Sequence, residues 1–528
     1  MRDLMDLVVI EQETDLHNHR AQRYRDKDVD RLSEPQPVLR INSRSWNARS
    51  DDPACNRHGM GIGRSPRPDR RLRRQGNRRQ LEWIMQAESA LKRVLANLAH
   101  LLGGKAAAGA MSLVYLVIVA RTLGVRDYGV LVLVNGYAVF VGSLVAFSGF
   151  HGVVRYGALA VEAGDPARLA RIVRFMALIE GLFGLLAFAV AAIAVPFVGP
   201  RLGWSADAMR IAVPFSLAVF SNVRATPQGL LQIAGRFDLV GLHQAVSPSV
   251  RLVGTLIVWA SGGGLEAFLI VWLLSSIAEG ATMWGLGLVA WRKLAQGQPL
   301  RGPWRGLLRD REGFGRFILI TNLDITLREL APNLAPLTIG WMLGPVAAGL
   351  FSLAQRATTL LQQPAILLAQ ASYAVLADLV AKRRLDLLRR TVWRSAILAG
   401  TIAAPIVLAF WLAGDRLLPL LGGRTFQGGV AIVTLIAGAR LAALIASPIA
   451  SGLTALGKPQ RSMAVTLATN LLLYPLLPLL IWKLGLHGAG LHALIQNVIA
   501  TGMLVLFFLR DAREPAADGA MPVAEGAG

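Results

Sequence analysis

Cysteine is all but missing. Cys55 is the only one in 528 residues, which excludes an internal disulfide framework and any multi-Cys metal site. Charge is scarce as well: 17% of residues are charged, where a soluble chain carries about a quarter. Acids are the rarer sign, 33 against 55 Lys and Arg, for a formal net charge of +22. That excess would suit a nucleic-acid partner if it covered one surface. Instead, much of it sits in one N-terminal tail and most of the rest in alternate short loops, so no nucleic acid is expected. An apolar signal-peptide core is absent from the N-terminal 80 residues.

What the chain does have is apolar sequence: 54% hydrophobic residues and a mean hydropathy of +0.47. Runs of roughly 20 apolar residues recur, each able to cross a ~30 Å hydrocarbon core. They fall at 100–120, 128–149, 175–198, 209–233, 239–260, 266–291, 317–341, 348–375, 395–413, 429–452, 464–482 and 487–509. The fold class expected is therefore an all-α polytopic membrane protein of about twelve transmembrane helices. Positive-inside bias tests the count, since one missed helix would scramble the alternation. With the N-terminus in the cytoplasm, inner loops hold about twenty Lys and Arg against seven outside, and both termini lie in the cytoplasm. The outer loops are all short, which disfavours polymerases and glycosyltransferases, whose chemistry needs a sizeable outer loop. No enzyme is expected.

The domains expected are an Arg-rich tail at 1–84, a six-helix bundle at 85–291, a cytoplasmic linker at 292–316, a second bundle at 317–510 and a polar tail at 511–528. The first tail is too polar to fold alone, and Met85 stands as an alternative start. GMGIG at 59–63 is not a phosphate loop, because no strand precedes it and no helix follows. The two bundles echo each other. LGVRDYGVLVL (123–133) returns as LGPVAAGLFSL (343–353), and TPQGLLQIAGRFD (226–238) as SPIASGLTALGKPQ (447–460). Six helices per unit keep both copies in one orientation, a parallel repeat about an axis along the membrane normal and an arrangement used for alternating access.

These segments also carry a resemblance. ARTLGVRDYGVLVL (120–133), SGFHGVVRY (148–156) and SGLTALGKPQRS…GLHGAGLHALIQN (451–497) resemble bacterial polysaccharide (O-antigen or exopolysaccharide) flippases. These belong to the multidrug/oligosaccharidyl-lipid/polysaccharide exporter superfamily. Leu491 after Gly-Ala-Gly and the Arg-rich tail depart from the family pattern. The resemblance implies a MATE-like fold in the inner membrane. Its implied activity is movement of undecaprenyl-diphosphate-linked oligosaccharide between leaflets, alongside a polysaccharide polymerase and a chain-length regulator.

Charges inside the spans are the candidate site. A charged side chain at mid-bilayer costs about 2.5–3.5 kcal/mol on insertion scales, so it normally faces a partner or a wet cavity. Arg224, Arg251, Arg328, Arg356 and Arg440 all fall within spans, and Gln363 lies on a polar stripe with Ser352, Arg356, Thr359 and Gln370. A cavity lined by these arginines is net cationic. It suits a diphosphate, because Arg offers planar bidentate donors and keeps its charge when desolvated. Each arginine can equally lock helices together, and Asp324–Arg328 at i, i+4 is an obvious pair. Asp324, Glu279 and Glu180 are candidates for a coupling H+ or Na+; no other cofactor is expected. Lys105 lies near its span's inner end and can snorkel, His243 is read as a packing residue, and Pro332 and Pro336 predict a bend in the seventh span. The rival readings are a cation-coupled multidrug exporter on the same fold, which calls for an acidic cavity, and a non-transporting scaffold of a polysaccharide synthase.

Overall fold

Residues 70–299, 301–303, 313–359, 375–376, 379–380, 382–426 and 429–512 are described by the structure, a computed structural model, with side chains from Gly104 onward except at 106, 331, 406, 413–418, 420–421 and 425. The chain divides into two units, 1–79 and 80–528. Of the first, only residues 70–79 are described, as helix; all twelve apolar runs lie in the second. Of the expected tails at 1–84 and 511–528, residues 70–84 lie in helix, as do Met85 and its neighbours, while 1–69 and 513–528 lie outside the described residues.

Helix accounts for each of the twelve apolar runs as far as it is described. Helix α1 (Arg70–Val145) covers the first two, divided at Gly124 (φ 70°, ψ 177°). A short α2 (Phe150–Gly152), a π-helical turn (Val153–Gly157) and α3 (Ala158–Glu162) come next. Helix α4 (Pro166–Arg201) is the third span, N-capped by the Asp165 side chain. The fourth is broken into α5 (Ala206–Phe215), a 3-10 segment (Ser216–Asn222) and α6 (Ala225–Ile233). The fifth is α7 (Phe237–His243) with α8 (Val246–Ala260), and the sixth is α9 (Leu265–Leu294).

In the second half, α10 (Phe314–Leu343) and α11 (Pro345–Thr359) are the seventh and eighth spans. The remainder of the eighth run, with Gln363 and Gln370, lies outside the described residues. Helix α12 (Leu385–Gly422) is the ninth and α13 (Val430–Ala455) the tenth. Helices α14 (Pro459–Leu472) and α15 (Leu476–Leu484) form the eleventh, bent by 47°, and α16 (Leu486–Asp511) is the twelfth. Helix α10 runs through Pro332 and Pro336 without a break in the helix. Beside the first proline, the Asn333 side chain donates to the Glu329 carbonyl (2.9 Å).

The repeat is visible in backbone geometry. Gly344 (φ 82°, ψ −178°) matches Gly124 at the turn between the first two spans of each half, a conformation open only to glycine. At the other end, Gly235 and Gly457 each end a helix with positive φ. The next amide then reaches back to close the turn, Arg236 to the Leu231 carbonyl and Lys458 to Leu453.

The two ends of the molecule differ. One end, the loop face, carries the short connections at Gly124, Gly203 and Gly344. There a single apolar cluster draws on both halves, from Tyr115 and Leu131 to Phe351, Phe426 and Ile481. The second and eighth spans cross glycine to glycine. A Cβ on Gly129 would come within 1.9 Å of the Pro345 carbonyl oxygen, and one on Gly349 within 2.5 Å of that of Val125. Arg201 stacks over Trp341 beside them.

At the opposite end, the linker face, two clusters stand apart. One gathers first-half residues with Phe314 and Ile318 of α10, the other second-half residues alone. The start of α10 is held to the first half by Tyr156–Phe314 (4.7 Å), Arg155 over Phe317, and the Ser148 amide donating to Asn322 Oδ1 (2.8 Å). The second-half cluster is tied by buried Asp511, which accepts from Lys458 (3.1 Å) and Arg461. At the turn into α7, the exposed Arg236 guanidinium hydrogen-bonds Asp238 and holds its carboxyl below the usual range.

Candidate substrate cavity

The break in the fourth span builds the first part of the site. A helix cannot simply stop inside a bilayer, because no water is there to take its exposed backbone groups. Here side chains take them. Trp284 Nε1 of α9 donates to the Val223 carbonyl (2.7 Å). Both oxygens of Glu180, a fully buried residue of α4, accept from the amides that start α6: Ala225 at 2.6 Å and Thr226 at 2.9 Å. Glu180 therefore caps a half-helix and offsets the positive end of its dipole.

Arg224 occupies the N-cap position of α6. Its guanidinium is paired with Glu279 of α9, both partly exposed. His243 Nε2 donates to the Glu279 backbone carbonyl (2.9 Å), so this buried residue is a hydrogen-bonded packing residue at the edge of the site. A cavity of about 420 Å3 opens here, lined by Lys105, Arg224, Gln228, His243, Gln244 and Glu279. Lys105 is exposed within it.

One turn further along α9 sits Arg251 of α8. Its Nε donates to Ser275 Oγ (2.9 Å), and its guanidinium lies over the Trp272 ring at 5.0 Å. Helix α9 thus holds Arg251 with Trp272 and Ser275, and Arg224 with Glu279, residues at i, i+3 and i+7 of one face. Tyr115 stands edge-on to the same Trp272 ring (5.5 Å). Arg356 belongs to the second half, on α11, and is exposed.

Arg328 and Arg440 lie elsewhere. Arg328 Nε donates to Asp324 Oδ2 (2.8 Å) on the same helix, an i, i+4 pair that neutralises both. Glu329 is exposed and accepts from Asn333. Arg440 is half-buried on α13, and its Nε has no hydrogen-bond partner. Among the described residues, no carboxylate pairs with Arg251, Arg356 or Arg440, whereas Glu180, Glu279 and Asp324 are each engaged. No group of three metal-ligating side chains is present among them either.

The arginines are legible in the sequence; the break is not, nor are the roles of Trp284, Tyr115, Ser275 and Gln244. Asn222, Arg224 and Pro227 within six residues are the available signal for the break.

Comparison with known proteins agrees with this architecture. Residues 118–431 match the family described as polysaccharide biosynthesis protein. An inner membrane protein of Escherichia coli strain K12, YghQ, is 26% identical over 341 residues, covering 64% of this chain and 94% of that protein. Among solved structures, an inward-facing multidrug resistance MATE family transporter of the MOP superfamily aligns with a TM-score of 0.61 at 16% identity, over 76% of this chain and 94% of its own. The lipid II flippase MurJ in an inward closed conformation aligns with a TM-score of 0.61 at 13% identity, over 78% and 88%. The fold is therefore that of multi-span transporters, and the chain belongs to the polysaccharide biosynthesis protein family.

Proposed function

We propose that the protein is a flippase that carries undecaprenyl-diphosphate-linked oligosaccharide across the bacterial inner membrane for cell-surface polysaccharide assembly. The observation that carries this reading is that Arg251 and Arg356, from opposite halves, have no carboxylate partner among the described residues. Two guanidinium groups on separate rigid bodies can hold the two phosphates of one diphosphate, each through bidentate, charge-assisted hydrogen bonds. Arg440 adds a third unneutralised cation. An exporter of drug cations needs the opposite sign.

The linker face is cytoplasmic, by the positive-inside count, and both termini lie there. With the halves joined at the loop face, the conformation is then inward-facing. The headgroup enters between the halves, and the polyprenyl chain stays in lipid. Rocking of one half against the other, parting the glycine crossing, opens the loop face. No covalent bond is broken, so the protein is not an enzyme. Membership in the polysaccharide family supports the substrate class, and a polymerase and a chain-length regulator are the partners that would use the product. Glu180, Glu279 and Asp324 are the carboxylates that would take up a coupling H+ or Na+, each on release from the partner it holds in this conformation.

The test is transport in proteoliposomes of two cargoes, a fluorescent undecaprenyl-diphosphate oligosaccharide and a fluorescent drug cation. Movement of the first alone is expected. Export of the cation alone would replace this reading with the multidrug one, and movement of neither would leave the scaffold.

A further inference from the structure

The cavity at the broken fourth span is not explained by the break itself. Glu180 and Trp284 already satisfy the backbone there. Arg224 and Glu279 therefore form a side-chain ion pair that the break does not need. Around it stand Lys105 from the first span, Gln228 from the fourth, and His243 and Gln244 from the fifth. These are the titratable and charged groups facing the pair; Glu180, behind the break, is committed to two amides.

Two cations thus face one carboxylate, with two carboxamides as further donors; the His243 Nε2–H is already given to the Glu279 carbonyl. A cation ligand would meet Lys105 and Arg224. A tetrahedral oxyanion meets donors on several sides, and the volume lies within the ~300–1,000 Å3 typical of small-ligand sites. Arg224 and Glu279 keep 32% and 22% of their side-chain surface exposed, so the pair can be opened without unpacking the core.

We propose that this cavity binds a phosphate group, with Glu279 as the resident counterion that the phosphate displaces from Arg224. The phosphate comes from a lipid headgroup or from free solution; the site rests on the flippase reading only for the choice between these carriers. Before binding, Glu279 screens Arg224 and holds the site weak. After binding, Arg224 and Lys105 share the phosphate charge, and Gln228 and Gln244 donate to its remaining oxygens.

The experiment uses the full chain in nanodiscs of zwitterionic lipid, with two probes: inorganic phosphate, and a polyprenyl monophosphate added to the disc. The Glu279→Gln variant removes the competing charge and should bind about tenfold more tightly, the fold-change corresponding to one charge-assisted hydrogen bond regained. Arg224→Gln should lose binding, and Lys105→Gln, which leaves the pair intact, should weaken it severalfold. Binding of inorganic phosphate assigns a free anion, and binding of the lipid probe alone assigns a headgroup; either supports the site. Equal affinity of wild type and Glu279→Gln, retained binding in Arg224→Gln, or no binding of either probe by any form overturns it. Should Arg224→Gln not fold, Glu279→Gln and Lys105→Gln decide the matter together. Lost probe binding with intact glycan transport would sink this site and leave the flippase; the reverse result would do the opposite.

Discussion

Glu180 is a carboxylate with no exposed surface and both oxygens in use. Its work is to end one half-helix and begin another. Replacing it with Ala leaves two buried amides without acceptors, each worth about 1–3 kcal/mol. The Glu180→Ala protein should therefore lose roughly 2–6 kcal/mol of stability, read as a large drop in melting temperature in detergent. A melting curve like that of wild type would mean the amides find other partners. Asp324 and Arg328 make the contrasting case, since they neutralise each other four residues apart. Asp324→Asn with Arg328→Gln should transport nearly as wild type does, while either single change strands a charge and costs folded yield. If the double variant is dead although folded, the pair touches substrate. That pair was legible in the sequence because one helix fixes its geometry. Arg224–Glu279 was not: its members are 55 residues apart on different helices, and no periodicity links them.

At the scale of elements, hydropathy located each span and the glycine echoes located the repeat, because both depend on local sequence. What local sequence could not show is where a span breaks. The fourth run is long enough to read as one span despite Asn222, Arg224 and Pro227, yet it divides at Val223–Arg224 because α4 and α9 bring partners to the freed backbone. The fifth and eleventh divide likewise. At the last of these, buried His492 reaches the Leu473 carbonyl (2.9 Å). Breaks of this kind concentrate polar groups at mid-membrane depth, which is where transporters build binding sites. Trp284 tests the account of the fourth span. Trp284→Phe keeps an aromatic ring but strands the Val223 carbonyl, and should cost about 1–3 kcal/mol, seen in thermal unfolding. An unchanged stability would show that the indole hydrogen bond contributes nothing.

The whole molecule is two bundles joined at the loop face and separate in their apolar clusters at the linker face. That closure depends on backbone meeting backbone at Gly129 and Gly349. A Gly129→Ala substitution drives a methyl group into the Pro345 carbonyl and should favour the state open at the loop face. Spin labels at exposed Arg126 and Val346 would report it as a longer distance than in wild type; an unchanged distance would mean that the crossing does not hold the loop face closed. The central claim, that unneutralised arginines from both halves carry an anionic headgroup, is tested most directly by transport at matched folded yield. Translocation of undecaprenyl-diphosphate oligosaccharide should fall at least about tenfold in Arg251→Gln and in Arg356→Gln, the loss expected from one charge-assisted contact. Wild-type rates in both variants would contradict the account.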